Sequence, residues 1–148
     1  MPSPLPSLLW YQRQRKIQID LPIIKATVQQ SLPLCVKKPR YPHCRLPEII
    51  EITFLNNRSI AHVHAQFLKK ASATDVITFS YGLHLGEILL GTPAIAQQAR
   101  ELRQPRDQEI IRCIIHGLLH LLGYDDTNKE EYGLMHHEQE SILKSLLT

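Results

Sequence analysis

The most informative segment of the chain reads His116-Gly-Leu-Leu-His120-Leu-Leu-Gly123-Tyr-Asp125-Asp126. His116 and His120 are four residues apart in a stretch with helical periodicity, so both rings project from one helix face about one turn apart, as two ligands of one metal ion must. Gly123 follows, and glycine readily adopts the left-handed conformation that ends a helix and reverses the chain. Such a reversal lets Asp125 or Asp126 swing back toward the two imidazoles.

Two imidazoles and one carboxylate suit Zn²⁺ or another first-row divalent ion, and a fourth position open to water is typical of a catalytic site. The alternative is a pair of core histidines that are hydrogen-bonded to backbone, because the surrounding residues are strongly apolar. A zinc peptidase is disfavoured. Its H-E-x-x-H pattern needs a glutamate directly after the first histidine, where this chain has Gly117.

The composition is typical of one globular domain. The chain has 148 residues, of which 43% are apolar and 21% charged, so we expect a single compact domain over residues 1–148, with residues 1–15 irregular. No apolar run approaches the roughly 18 residues of a membrane span, and no export signal is recognisable at the start. Three widely spaced cysteines indicate reduced thiols rather than a disulfide framework, which favours the cytoplasm.

The net charge of +3 is unevenly distributed along the chain. Up to Pro47 there are eight basic residues against Asp20 alone, so this third carries +7 and the remainder −4. A basic region of this kind can attract a polyanion such as nucleic acid. The alternative is an ordinary solvated surface.

Periodicity and turn residues predict an α+β fold, with about four strands in a mixed sheet packed with about five helices. The expected strands are Lys16–Ile19, Glu48–Leu55, Val76–Phe79 and Glu87–Leu90. The expected helices are Leu21–Ser31 with Asp20 as its cap, Ser59–Lys69, Pro93–Leu102, a helix from Asp107 to Gly123, and Lys129–Leu147. Four prolines predict a loop over 32–47.

Three blocks of sequence together resemble a known family. The segment 116–126 is similar to H-G-x-L-H-L-x-G-Y-D-H, the signature of the bacterial YbeY family of single-strand-specific metallo-endoribonucleases, and ten of the eleven positions agree. Upstream, 74–79 (TDVITF) and 85–88 (LGEI) are similar to two strands of that family. The order and spacing of the blocks also agree, and the resemblance covers about residues 48–147.

The resemblance implies an α+β fold with a zincin-like metal helix, one catalytic Zn²⁺, and cleavage of single-stranded RNA. It further implies maturation of the 3′ end of small-subunit (16S) ribosomal RNA and ribosome quality control, with ribosomal RNA and the small subunit as partners and neither DNA nor a membrane. The family's third metal-binding histidine falls on Asp126. A variant branch with aspartate there looks like the nearer relative, so His116, His120 and Asp126 are the expected ligands.

The remaining catalytic assignments are weaker in the sequence. A family arginine falls on Leu68, so Lys69 is the candidate to contact the scissile phosphate, unless it merely ends a helix. Glu87 or Asp125 could act as the general base. His136 and His137 compete with Asp126 as third ligand but fit a solvated face better, and Cys113 is either a further ligand or a core residue.

Two rival functions are weighed beside RNA cleavage. One is a metallohydrolase of another substrate, which Gly117 disfavours. The other is a non-catalytic ribosome-assembly factor in which a structural ion is closed by a fourth protein ligand. In the basic third, Trp10 and Tyr11 beside Arg13 could stack bases, or they could simply cover a sheet edge.

Overall fold

The computed structural model describes residues 4–68 and 75–147. Strands and helices follow in the order β1 (Ser7–Arg13), α1 (Leu21–Val36), β2 (Ile49–Leu55), α2 (Asn57–Leu68), β3 (Val76–Ser80), β4 (Leu85–Gly91), α3 (Thr92–Glu101), α4 (Arg106–Leu121) and α5 (Lys129–Leu147). The prediction of an α+β fold with a four-stranded mixed sheet and five helices is confirmed. No helix of the described residues is long and apolar enough to cross a bilayer.

The sheet has the strand order β1-β2-β4-β3. β1, β2 and β4 are parallel, and β3 runs antiparallel to β4. The register aligns Ser7 with Ile49 and Ile49 with Leu85, so the three parallel strands begin at the same end of the sheet. α1, α4 and α5 form the helical layer on one face, while α2 covers part of the other.

Helix α4 lies at the centre of the helical layer. Its apolar side chains are almost completely buried: Ile110, Ile111, Ile114, Ile115, Leu118 and Leu119. Gly117 faces Ile88 of β4, and a Cβ at residue 117 would lie 2.9–3.0 Å from three Ile88 carbons. The absence of a side chain therefore lets α4 approach the sheet, which fixes the histidine face of the helix relative to the core.

The N-terminal region differs from the sequence prediction. Residues 7–13 form the edge strand β1 within the segment expected to be irregular, and 16–19 is not a strand. Trp10 of β1 stacks on Phe54 of β2 with centroids 6.2 Å apart. The buried Gln14 side chain then bonds to both the N–H and the carbonyl of Ile17, so a turn occupies the place of the expected strand.

Several helix boundaries also differ, among them the end of α1 and the start of α4. α1 continues to Val36 rather than ending at Ser31, with Pro33 on its exposed side and Leu32 and Cys35 buried in the core. Apolar burial on one face thus outweighs the backbone hydrogen bond that proline removes. α4 begins at Arg106 with Pro105 at its cap position, whereas Asp107 accepts a hydrogen bond from the Asp20 N–H at 3.3 Å.

Candidate metal centre

Helix α4 and the turn after it bring three donor side chains together. The Nε2 atoms of His116 and His120 are 3.1 Å apart, and Asp126 Oδ2 lies 3.4 Å from each of them. These three residues form the one group among the described residues whose histidine, cysteine and carboxylate atoms could jointly hold an ion. Asp125 is directed elsewhere, because its carboxylate accepts the N–H of Thr127 at 3.1 Å.

The end of α4 explains how Asp126 reaches the histidines. Gly123 has a φ of +97°, as its position after the helix predicts. The N–H of Tyr124 returns to the Leu119 carbonyl and that of Gly123 to the His120 carbonyl, both at 3.1 Å. This pattern of a left-handed residue with two closing hydrogen bonds turns the chain back along the helix.

The other nitrogen of each imidazole has a defined acceptor. His120 Nδ1 lies 3.0 Å from the Tyr124 carbonyl oxygen, which can only accept, so Nδ1 carries the proton. His116 Nδ1 lies 2.8 Å from Gln139 Oε1. The Gln139 amide nitrogen in turn donates to Glu140 at 3.1 Å, which sets the amide oxygen toward His116. In the neutral form that metal binding needs, both imidazoles therefore present an unprotonated Nε2 to the centre of the group.

Three facing acceptor atoms with no proton among them repel one another unless a cation lies between them. Donors at about 2.05 Å from a tetrahedral zinc ion are separated by about 3.3 Å, close to the spacing of these three atoms. The donor set and its spacing thus fit a divalent ion.

The three donor side chains at the centre become more exposed from His116 through His120 to Asp126. The side chains of His116, His120 and Asp126 are 19%, 26% and 41% exposed. Burial lowers the pKa of His116, although the hydrogen bond to Gln139 opposes this effect. The lowered pKa favours the neutral imidazole that metal binding needs. The exposed side of Asp126 leaves the centre open to solvent on one side.

A cavity of about 510 Å³ adjoins the centre, with His116 and Asp126 in its walls. Arg112 lies in it one turn before His116 and pairs with Glu109 and, through two contacts of 2.9 and 3.1 Å, with Glu140. Asp75 adds a further carboxylate to the walls. Arg112 was not predicted, although its spacing of four from His116 places it on the same face of α4. Gln139 was not predicted either, because it comes from another helix.

The competing ligands lie outside the group. Cys113 is 9% exposed within the apolar core, and burial raises the pKa of its thiol, so it is a core residue. His136 lines the cavity and stacks on Tyr132 with centroids 5.6 Å apart. His137 is exposed.

Of the candidate catalytic residues, Glu87 is not brought to the centre. Glu87 is paired in register with Glu51 and Phe79, on the sheet face opposite the one where its neighbour Ile88 meets α4. Burial and the nearby Glu51 carboxylate raise the pKa of Glu87. Lys69 lies outside the described residues.

Comparison with known proteins places this arrangement in a family. A family model described as Endoribonuclease YbeY matches residues 9–147. The Endoribonuclease YbeY of Sulfurihydrogenibium sp. is 34% identical over 106 residues, which span 66% of this chain and 69% of the relative. That of Nautilia profundicola is 36% identical over 101 residues, spanning 66% and 71%.

A solved structure agrees with the fold. The solution structure of a Thermotoga maritima protein matches with a TM-score of 0.61 and 23% identity, covering 94% of this chain and 88% of that one. The family model covers nearly the whole chain, including the helix and turn that carry the three donors. The chain belongs to the YbeY endoribonuclease family.

Proposed function

We propose that this protein is a metal-dependent endoribonuclease that cleaves single-stranded RNA, with His116, His120 and Asp126 holding one divalent ion, Zn²⁺. The observation that carries the proposal is the group of three facing acceptor atoms, with spacings of 3.1 and 3.4 Å, on the segment that the family model matches. The relatives' name, Endoribonuclease YbeY, supports RNA as the substrate.

The family resemblance narrows the substrate further. We assign to this chain the maturation of the 3′ end of 16S ribosomal RNA and a part in ribosome quality control, both in the cytoplasm and on the small subunit. The family motifs at 74–79, 85–88 and 116–126 support this assignment. A charge of +7 over the first 47 residues suits an RNA partner.

Each side chain of the centre has a separate task in this proposal. The neutral imidazoles of His116 and His120 are held in place by the Gln139 amide oxygen and the Tyr124 carbonyl. Asp126 offsets part of the cation's charge, and its exposed side leaves room for a phosphodiester. A divalent ion held there supplies Lewis-acid chemistry to a phosphoryl oxygen or to the attacking group. Lys69 is the proposed contact to the scissile phosphate, as a positive charge without the bidentate grip of arginine.

A purely structural ion is the weaker alternative. Structural zinc sites have four protein ligands. Within residues 4–68 and 75–147, only three donors converge at this centre. The open side therefore favours catalysis over the assembly-factor alternative.

Cleavage of a defined RNA tests the proposal. The substrate is a single-stranded fragment spanning the 3′ end of the 16S precursor, compared with the same fragment annealed to its complement. We expect the Zn²⁺-loaded protein to cut only the single strand, a chelator to stop the reaction, and His120→Ala to lower the rate at least 100-fold (about 2.7 kcal/mol). His137→Ala alters an exposed histidine outside the centre and should retain the wild-type rate. Absence of cleavage, or chelator-resistant cleavage, would contradict the proposal.

A further inference from the structure

A groove separate from the cavity beside His116 lies at the C-terminal end of α4 and has a volume of about 1110 Å³. Its walls are largely apolar and rich in proline, including Pro33, Pro39, Pro42 and Pro47. Lys37 and Arg45 line the same groove, and both side chains are exposed. The groove thus combines an apolar wall with two accessible cations.

The loop that forms this groove, residues 37–47, is fastened to the segment that carries Asp126. The Arg40 N–H donates to the Leu122 carbonyl at 3.0 Å, and the Tyr124 hydroxyl donates to the Lys38 carbonyl at 2.8 Å. Tyr124 is also the residue whose carbonyl orients His120. The groove and the metal centre therefore border the same short segment, 122–124.

The charges of the two cavities near the centre differ in sign. Residues 37–45 contain four cations and no carboxylate. Lys38 and Arg40 are paired with Glu138 at 3.9 Å and Glu131 at 2.9 Å. Lys37 and Arg45 form no ion pair with any described carboxylate, so their charges remain available.

The two cavities also differ in how many carboxylates line them. Glu48 also lines the groove and lies 3.2 Å from His84. Among the described residues, the cavity beside His116 instead holds four carboxylates, Asp75, Glu109, Asp126 and Glu140, and one guanidinium, that of Arg112, which pairs with Glu109 and Glu140. The described side chains therefore favour a polyphosphate chain on the groove side over the cavity side.

Two aromatic rings stand on the same loop. Tyr41 and His43 are stacked, with ring centroids 5.9 Å apart and planes at 9°, and both residues are exposed. Arg40 lies over the Tyr41 ring at 4.6 Å. Stacked rings beside cations are the usual platform for the bases of a single strand, whereas an acidic peptide would have no use for the rings.

We propose that this groove binds single-stranded RNA beyond the phosphodiester at the metal centre. Lys37 and Arg45 contact its phosphates, the proline wall covers the riboses, and a base stacks on the Tyr41–His43 pair. The identification of RNA as the occupant rests on the proposed function. The groove proposal extends that function by naming the surface that holds the RNA and the side of the metal centre on which the strand leaves.

The other basic cluster serves as a matched control. Arg13 lies at the end of β1 that is farther from the groove. Ser7, at the other end of β1, is in register with Leu85 at the start of β4. The residue after Leu85, Gly86, faces Leu121 at the C-terminal end of α4. Six residues of strand separate the two ends by about 20 Å. Arg15 and Lys16 follow Arg13 and are exposed. They carry the same charge as Lys37 and Arg45 but lie away from the end of α4.

Fluorescence anisotropy with a labelled 12-nucleotide single-stranded RNA measures the contribution of the groove, with the probe checked for cleavage on a gel. The double variant Lys37→Gln/Arg45→Gln removes two phosphate contacts, so the slope of log Kd against log salt should fall by about 1.4. The variant should then bind about 25-fold more weakly than wild type at 0.1 M salt and equally at 1 M. Arg15→Gln/Lys16→Gln should stay within twofold of wild type.

Three results would overturn the inference. One is an equal loss in both double variants, which would show diffuse attraction. Another is an unchanged salt slope in Lys37→Gln/Arg45→Gln. The third is tighter, Lys37- and Arg45-dependent binding of a poly-glutamate peptide than of RNA, which would assign the groove to an acidic protein.

Binding and cleavage fail separately in this design. If wild type binds RNA through the groove but does not cut it, the groove assignment stands and the proposed function fails. If both double variants cut and bind RNA like wild type, the proposed function stands and the groove assignment fails.

Discussion

At the scale of single residues, Gln139 decides which nitrogen of His116 faces the metal centre. Its amide is held at one end by Glu140, which Arg112 holds in turn, and its oxygen accepts from His116 Nδ1. Gln139 is only 7% exposed, so water cannot easily replace it. It is a positioning residue that keeps Nε2 of His116 free to bind an ion.

Replacing Gln139 should therefore weaken ion binding without touching a ligand. We expect Gln139→Leu to bind Zn²⁺ about 10–100-fold more weakly in competition with a chromogenic chelator. ¹⁵N NMR of the metal-free protein should show loss of the Nδ1–H tautomer of His116. Gln139→Glu keeps an oxygen acceptor and should keep that tautomer. Unchanged affinity and tautomer in Gln139→Leu would remove this role.

Glu87 provides a second prediction at this scale. Burial and the facing Glu51 raise its pKa, so the fold disfavours its carboxylate form. Glu87 therefore costs stability at neutral pH; this cost begins to fall as the pH drops through the raised pKa and is lost below the ordinary glutamate pKa of the unfolded chain. Glu87→Gln should raise Tm at pH 7, with a smaller gain near pH 3, which is below the ordinary glutamate pKa of about 4.3, so that the carboxyl is largely protonated in both the folded and the unfolded state.

The same variant examines the catalytic assignment of Glu87. Since Glu87 lies on the sheet face opposite α4, Glu87→Gln should cleave RNA at the wild-type rate. A large loss of cleavage with an intact fold would show that this glutamate acts in the reaction after all.

The three donor residues of the centre could be predicted from the sequence, but Gln139 could not. The spacing of His116 and His120 is a local helical signal, and Gly123 marks the reversal, so a carboxylate beside them was predictable. The choice of Asp126 over Asp125 came from the family motif. Gln139 is 23 residues from His116 along the chain, and only the packing of α5 on α4 brings them together.

At the scale of elements, the turn after α4 packs against the loop of residues 37–47. A Cβ at Gly123 would lie 2.6 Å from Cys44 Sγ, and the φ of +97° itself strains any residue with a side chain. Gly123→Ala should lower the unfolding free energy by about 2–4 kcal/mol, from roughly 1–2 for the backbone and the rest for the collision. Urea denaturation measures this loss.

A Cys44→Ala background separates the two causes. Removing the sulphur relieves the collision but not the backbone strain, so adding Gly123→Ala there should cost only about 1–2 kcal/mol. An equal cost in both backgrounds would mean that Cys44 does not constrain the turn.

Element boundaries were less predictable than the elements themselves. Prolines before β1 and within α1 indicated irregular structure, yet Trp10 packs on Phe54 and Cys35 is fully buried. These contacts join residues distant in sequence, and their burial outweighs local propensity. The central helix α4 was recognised because its own periodicity is strong.

At the scale of the whole molecule, we expect the core to remain folded without an ion at the metal centre. The buried cluster extends through α1, β2, β4, α4 and α5, whereas the three donors lie at its edge. We expect the chelated protein to keep its helical circular dichroism and to unfold cooperatively, losing about 4 kcal/mol of stability if free Zn²⁺ had been 1,000 times its Kd. Unfolding on chelation would instead indicate a structural ion.

The most direct measurement compares RNA cleavage and Zn²⁺ content in wild type, Asp126→Ala and Asp126→His. If His116, His120 and Asp126 hold a catalytic ion, wild type and Asp126→His should each bind one equivalent and cleave single-stranded RNA. Asp126→Ala should lose cleavage at least 100-fold (about 2.7 kcal/mol) while remaining folded. Full cleavage and Zn²⁺ content in Asp126→Ala would contradict the account and place the third ligand elsewhere.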